Sequence, residues 1–309
     1  MKVFVTGSTG FVGSALTHTL SESKQFEVIC GVRQAASSMM QTVVFDLESA
    51  FEIESQLVGV DAVVHCAARV HQMHEDAQNP LDAYRRMNTT ATLRLAEQAA
   101  AAGVKRFVFL SSIKVNGENT LPGIPFRSQS QVCPDDPYGL SKYEAEQSLL
   151  ALGQRSGMEI VIIRPPLVYG PGVKANFAKM VHIVQRGIPL PFGAIQNSRS
   201  LVYLGNLVDL MKVCLHHPKA ANQVFLVSDD EDISTTQLLQ KLAVAMGTKS
   251  RLVPVPAAWL MGLTKLLGKP EVGQRLCSSL QVDIRHTKET LDWSPPYRLE
   301  CALKYTVRK

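Results

Sequence analysis

Three glycines at a fixed spacing, Gly7, Gly10 and Gly13, constrain this chain more than any other feature. They follow directly on a β-branched run, Lys2–Thr6, and stand at the mouth of a predicted helix. Glycine there permits a tight turn and lets a diphosphate approach the backbone. At a helix N-terminus, unpaired N–H groups and the dipole favour negative charge. A glycine turn by itself is common. Between a first strand and a first helix, it points to a dinucleotide site.

The rest of the first half supports that setting. Glu27–Val32, Thr42–Phe45, Ala62–His65, Arg106–Leu110 and Glu159–Ile163 read as further buried strands, with amphipathic segments between them. The clearest helix runs from Leu81 to Ala102, with Asn79 as N-cap, Pro80 in the first turn and Gly103 as its stop. This alternation predicts an α/β fold, a Rossmann-type doubly wound parallel sheet. Two Pro-rich excursions break the rhythm, at 113–137 and 165–199, followed by a helix at Leu204–His216 and a strand at Gln223–Val227. Residues 1–165 with about 201–228 then form the dinucleotide-binding domain. A smaller, discontinuous substrate domain takes about 166–200 and 229–309.

Two positions bear on cofactor and chemistry. The second strand ends in Cys30-Gly31-Val32-Arg33, without the acid that usually holds a ribose 2′-hydroxyl. Arg33 suits a 2′-phosphate, which favours NADP(H) over NAD(H); a surface arginine is the alternative. Asp46 and Leu47, after the third strand, flank the adenine or serve the loop. Tyr138 and Lys142 stand four apart at a helix start and so share a face, where an ammonium can stabilise a phenolate. Ser111 and Ser112 end the fifth strand and open on the same crevice. A hydroxyl there can hydrogen-bond a substrate carbonyl.

These motifs together resemble the extended short-chain dehydrogenases/reductases, in particular the UDP-glucose 4-epimerase-like nucleotide-sugar enzymes. The resemblance rests on Thr6–Gly13, His65-Cys66-Ala67-Ala68, Asn88, Leu110-Ser111-Ser112, Tyr138–Lys142 and Arg164–Gly172. It implies Ser112, Tyr138 and Lys142 as catalytic residues. Gly7, Thr9, Gly10, Phe11, Val12, Cys66, Ala67, Ala68, Asn88 and Pro165 join Tyr138 and Lys142 around the cofactor. Asn176 and Arg199 resemble elements that grip the nucleotide diphosphate. Arg275 stands where relatives carry another phosphate-binding arginine, though its surroundings depart from the epimerase pattern. Ile113-Lys114-Val115-Asn116-Gly117 also departs, placing Lys114 and Asn116 near the expected sugar. In that respect the chain is most similar to bacterial 4-reductases of UDP-linked 4-keto-6-deoxy-N-acetylhexosamines, enzymes of surface-polysaccharide synthesis.

Composition excludes several classes. The net charge of +5, from 32 basic and 27 acidic side chains, is scattered without a basic arm, so nucleic acid is not expected. Six cysteines without C-x-x-C spacing read as small hydrophobes in a reducing, cytoplasmic compartment. The N-terminal apolar run is broken at Thr6, unlike a signal peptide, and no stretch is long enough for membrane insertion. His71 and His74 lack ligand partners at a recognised spacing, so no metal is expected. Ala257–Leu267 is expected to pack within the small domain or a subunit interface. The leading reading is a homodimeric NADP(H)-dependent reductase of a UDP-sugar C4 ketone. A UDP-hexose 4-epimerase, on glucose or N-acetylglucosamine, is the first alternative. A non-catalytic cofactor-binding sensor is the second.

Overall fold

The computed structural model describes residues 1–34, 40–70, 79–121, 123–130, 132, 134, 136–268 and 270–308; the side chains of Ala175 and Asn176 are also outside the description. His71, His74 and Cys133 lie outside the described residues.

In chain order the strands are β1 (Lys2–Thr6), β2 (Glu27–Val32), β3 (Gln41–Val44), β4 (Ala62–His65), β5 (Arg106–Leu110), β6 (Glu159–Arg164), β7 (Leu167–Tyr169), β8 (Leu201–Tyr203) and β9 (Gln223–Leu226). Seven of them form one sheet in the order β3-β2-β1-β4-β5-β6-β9, and every neighbouring pair is parallel. β7 and β8 make a separate parallel pair. The helices are α1 (Phe11–Ser21), α2 (Glu54–Leu57), α3 (Pro80–Tyr84), α4 (Ala91–Ala101), α5 (Pro137–Ser156), α6 (Ala175–Gln185), α7 (Leu204–His216), α8 (Thr235–Ala245), α9 (Ala257–Leu266), α10 (Pro270–Cys277), α11 (Arg285–Leu291) and α12 (Leu299–Val307).

The sheet is apolar on both faces because helices cover both, as a parallel sheet requires. Alternate residues of each strand serve opposite faces. Val3, Val5, Ala62, Val64, Val108, Val161 and Ile163 join Leu16 and Leu20 of α1 and Leu207 and Met211 of α7. Phe4, Val63, Phe107, Phe109, Ile160 and Ile162 join Leu95 and Ala99 of α4 and Leu149 and Leu152 of α5. The chain winds one way from β1 to β3 and the other way from β4 onward. The carboxyl ends of β1 and β4 therefore open a crevice at the point where a ligand enters such sheets. A third cluster stands apart, with Tyr169, Phe177, Leu201, Ile233, Leu238, Leu242 and Leu303 at its centre.

The structure departs from the sequence reading in several places. The long helix is present but not α-helical throughout: between α3 and α4 the helical backbone passes without a break through a π-type segment, Arg85–Thr90, which carries Asn88. Asn79 does not cap it by a side-chain bond to backbone; its amide donates to the Asp82 carboxylate at 2.6 Å. The third strand begins and ends one residue earlier than expected. Cys30 and Cys214 are buried, whereas Cys301 is exposed. The apolar side chains of α9 mostly face solvent in the single chain, so of the two expectations packing within the small domain is not met.

Candidate active site

The glycine loop is built by close approach. Gly7 has φ +66°, a left-handed conformation that L side chains rarely adopt, and a Cβ there would lie 2.7 Å from the Ala67 amide. A Cβ on Gly13 would lie 2.1 Å from the Gly7 carbonyl, so the first turn of α1 sits directly on the loop. Gly10 is the N-cap of α1 and brings no side-chain hydrogen bond; its own amide donates to the Gly7 carbonyl at 2.9 Å. The first amides of α1 are thus left for an anion, in a cradle with room for one. Thr9, Gly10 and Phe11 border one end of a cavity of about 550 Å³ that continues along α1, past Ser14 and His18, to Val208 of α7. This cradle fits a dinucleotide diphosphate. Phe11 and Val12 begin α1, and Cys66, Ala67 and Ala68 follow β4, all partly buried at the crevice.

Beneath the loop, β1, β4 and α4 are tied by a buried histidine. Thr6 Oγ1 and His65 Nδ1 are 2.7 Å apart, and His65 Nε2 lies 3.0 Å from Thr92 Oγ1. Burial pushes the imidazole down to about 3, so it stays neutral and structural. Asn88 acts similarly. Its Oδ1 accepts from the Arg69 amide at 2.8 Å, and its Nδ2 donates to the Arg69 carbonyl and to Ser141 Oγ, both at 3.0 Å. Its polar atoms therefore latch the segment after β4 to α5.

Ser112 caps a short 3₁₀ turn, Ile113–Val115, its hydroxyl accepting from the Lys114 amide at 3.3 Å, and stands near the Tyr138 phenol. Asp136 caps α5 by accepting from the Gly139 amide at 2.7 Å, which fixes Tyr138 and Lys142 on the first turns. Burial pushes the phenol up to about 12, with the nearby Ser112 hydroxyl opposing, so Tyr138 holds its proton at neutral pH. Lys142 is fully buried. Its Nζ donates to the Leu110 carbonyl at 2.8 Å and lies 4.2 Å from the centre of the Phe109 ring. Burial pulls its ammonium down to about 7, while Glu146 and Cys66 push the other way. Serine, phenol and ammonium thus meet at the carboxyl ends of β4 and β5.

Ser111 does not share this crevice. Its hydroxyl donates to Glu146 Oε1 at 2.5 Å. Glu146 also accepts from Arg164 Nε at 2.9 Å and Nη2 at 2.5 Å, with both side chains buried. Asn116 belongs to the same buried network: its Oδ1 accepts from Arg164 Nη1 at 3.0 Å, and its Nδ2 has no partner among the described residues. The sequence reading missed Glu146, although its position four residues beyond Lys142 places both on one helix face. Lys114 is neither free nor solvated; its ammonium pairs with Glu118 at 2.5 Å and with Asp136. Pro165 is buried, and its carbonyl accepts from the Ile113 amide at 3.0 Å.

The remaining candidates are more dispersed. Arg33 is exposed at the end of β2. Asp46 holds its own turn, accepting from the Glu48 amide at 3.0 Å, and Leu47 is buried in the core. Arg199 is half-buried, with Nη1 donating to the Ser278 carbonyl at 3.1 Å; desolvation pushes its guanidinium down. No carboxylate pairs with it among the described residues. Arg275 is half-exposed on α10, 3.5 Å from Glu271. The Asn176 side chain lies outside the described residues.

Residues 3–228 match the NAD dependent epimerase/dehydratase family, and the chain belongs to it. A UDP-glucose 4-epimerase of Vibrio cholerae is 50% identical over 310 residues, covering 99% of this chain and 94% of that protein. The N-acetyl-alpha-D-glucosaminyl-diphospho-ditrans,octacis-undecaprenol 4-epimerase of Escherichia coli O157:H7 is 26% identical, over 99% of this chain and 94% of its own length. Among solved structures, the UDP-N-acetylglucosamine 4-epimerase of Bacillus cereus superposes with a TM-score of 0.80 at 21% identity, over 98% of this chain and 97% of that one. The UDP-glucuronic acid 4-epimerase of Bacillus cereus, solved with NAD, gives 0.79 at 20% identity, over 99% and 95%. At such identities the structural likeness shows the fold.

Proposed function

We propose that the protein is a 4-epimerase of a UDP-linked hexose or N-acetylhexosamine, working with a nicotinamide dinucleotide held on the glycine loop. The observation that carries this reading is the half-identical UDP-glucose 4-epimerase, matched along nearly its whole length. The site supplies the groups that the reaction needs. Tyr138, protonated at neutral pH, is the acid/base at the C4 oxygen, with the nearby Ser112 hydroxyl placed to orient that oxygen. A bound nicotinamide would supply the hydride acceptance and return needed at C4. Lys142 holds the ribose beside it, and its charge favours phenolate when Tyr138 gives up its proton. Arg199, half-buried and paired with no carboxylate among the described residues, is the proposed partner of the sugar-nucleotide diphosphate. The cluster of β7, α6, α8 and α12 is then the body of the substrate domain, and β8, expected in the dinucleotide-binding part, packs with it through β7.

The structure also changes the weight of the reductase reading. Lys114 and Asn116 had supported it as sugar-facing groups. Lys114 is held by Glu118 and Asp136, and the Asn116 carbonyl is held by Arg164. One observation still favours net reduction: β2 ends without an acid and presents Arg33 for a 2′-phosphate. Purified protein should carry NAD and interconvert UDP-glucose or UDP-N-acetylglucosamine with the C4 epimer without added reductant. Consumption of NADPH with a UDP-4-keto-6-deoxy-N-acetylhexosamine, and no epimer, would assign the reductase instead. Arg33→Asp then separates the cofactors, since it should weaken only NADPH.

A further inference from the structure

We propose that the α9–α10 hairpin is a docking surface for an anionic phospholipid bilayer. Among the described residues, eighteen large hydrophobic side chains are exposed, and seven of them fall within residues 253–272: Val253, Trp259, Met261, Leu263, Leu266, Leu267 and Val272. Trp259, Leu263, Leu266 and Leu267 recur at helical spacing, so they form one outward stripe. Trp259 is 75% exposed and Leu266 85%, an unusual setting for large apolar side chains that sit together in one stripe. The inward side of α9 is already satisfied. Leu260 is its one buried residue, and a Cβ on Gly273 would lie 2.1 Å from Thr264 Oγ1, so α10 closes that side tightly.

Charge selects the occupant. Residues 247–279 carry Lys249, Arg251, Lys265, Lys269 and Arg275 against one acid, Glu271; five minus one gives +4, most of the chain's +5. Glu271 is engaged by Arg275. Lys249, Arg251 and Lys265 are exposed and pair with no carboxylate among the described residues. An apolar stripe with an amphipathic Trp, flanked by cations, is what an interfacial helix presents to acidic headgroups. A second copy is a poor occupant, because a two-fold contact would set these cations against each other. No helix among the described residues is long and apolar enough to cross a membrane, so the hairpin lies on the surface. α10 leads straight to Ser278, whose carbonyl binds Arg199, so the docked face adjoins the proposed diphosphate site.

The test is co-sedimentation of the full chain with phosphatidylglycerol vesicles and, separately, phosphatidylcholine vesicles. The chain has two tryptophans, and Trp293 is buried with its Nε1 bonded to Asp209, so an emission change reports Trp259. Phosphatidylglycerol should pellet the protein, shift its emission to the blue and allow quenching by brominated acyl chains. Salt should reverse all three. Lys265→Gln should weaken binding roughly fivefold. Leu266→Asn should weaken it further, leaving the thermal midpoint and turnover in solution unchanged. Absence of pelleting at low salt, or equal binding to both lipids, overturns the proposal. So does a wild-type dimer in sedimentation equilibrium that Leu266→Asn dissociates, or retention only by an acidic protein partner.

Discussion

Replacing Glu146 with Gln tests the platform beneath the reacting groups. The carboxylate is 0% exposed and its Arg164 partner 4%, and three donors reach it: Arg164 Nε, Arg164 Nη2 and the Ser111 hydroxyl. The amide keeps one acceptor oxygen but turns an N–H donor toward a guanidinium and leaves that cation uncompensated. Breaking a buried pair in this way costs about 3–5 kcal/mol. With a urea slope of about 3 kcal/mol/M, the unfolding midpoint should fall by about 1 M or more. The same change removes the carboxylate that holds Lys142 toward its charged form, so the Lys142 ammonium should titrate lower still. Replacing both partners by apolar residues of similar size, Glu146→Leu with Arg164→Met, should recover much of the stability. As a control, Glu144→Gln removes a partner of the solvent-facing Arg85 and should scarcely move the midpoint. If Glu146→Gln loses less than about 1 kcal/mol, the pair is not the buried tie described here.

Other substitutions probe the crevice itself. Tyr138→Phe should keep cofactor binding and lose about 10²–10⁴ in turnover, read by steady-state kinetics with a cofactor titration alongside. Lys142→Met should show the sign of its titration in the cofactor-free protein. The folded ammonium is depressed to about 7, so the unfolded chain binds the extra proton above that pH, and wild-type stability rises. Wild type should therefore gain on the variant by up to about 1.4 kcal/mol per pH unit above pH 7, followed by urea unfolding. Gly13→Ala drives a methyl into the Gly7 carbonyl, so it should cost about 1–3 kcal/mol and weaken cofactor binding in a fluorescence titration.

The strands and the phosphate loop were readable because they depend on local signals. Short β-branched runs, apolar at successive positions because both faces are covered, need only their own sequence, and Gly7 and Gly13 stand at positions where no Cβ fits. Tyr138 and Lys142 were readable for the same reason, through helix periodicity. What the sequence concealed are side chains whose partners are remote. Ser111 and Ser112 look equivalent, yet strand alternation sends one to Glu146 and the other to Tyr138. Lys114 finds Asp136 across 22 residues, and Asn88 spans 19 to Arg69 and 53 to Ser141. No spacing rule announces these pairs, because tertiary proximity makes them. The α9 stripe was left between a core and an interface on similar grounds, since apolar periodicity marks a face without saying what it faces.

The central claim is that a hydrogen leaves C4 of the sugar and returns to the same carbon. Deuterium at C4 of UDP-glucose or UDP-N-acetylglucosamine tests it directly, by mass spectrometry and NMR of both epimers after equilibration in ordinary water. The proposed epimerase retains the label at C4 in substrate and product, with no reductant supplied and no net cofactor oxidation. Loss of the label to solvent, or an unchanged sugar beside an NADPH-consuming reduction of the 4-keto substrate, would contradict it.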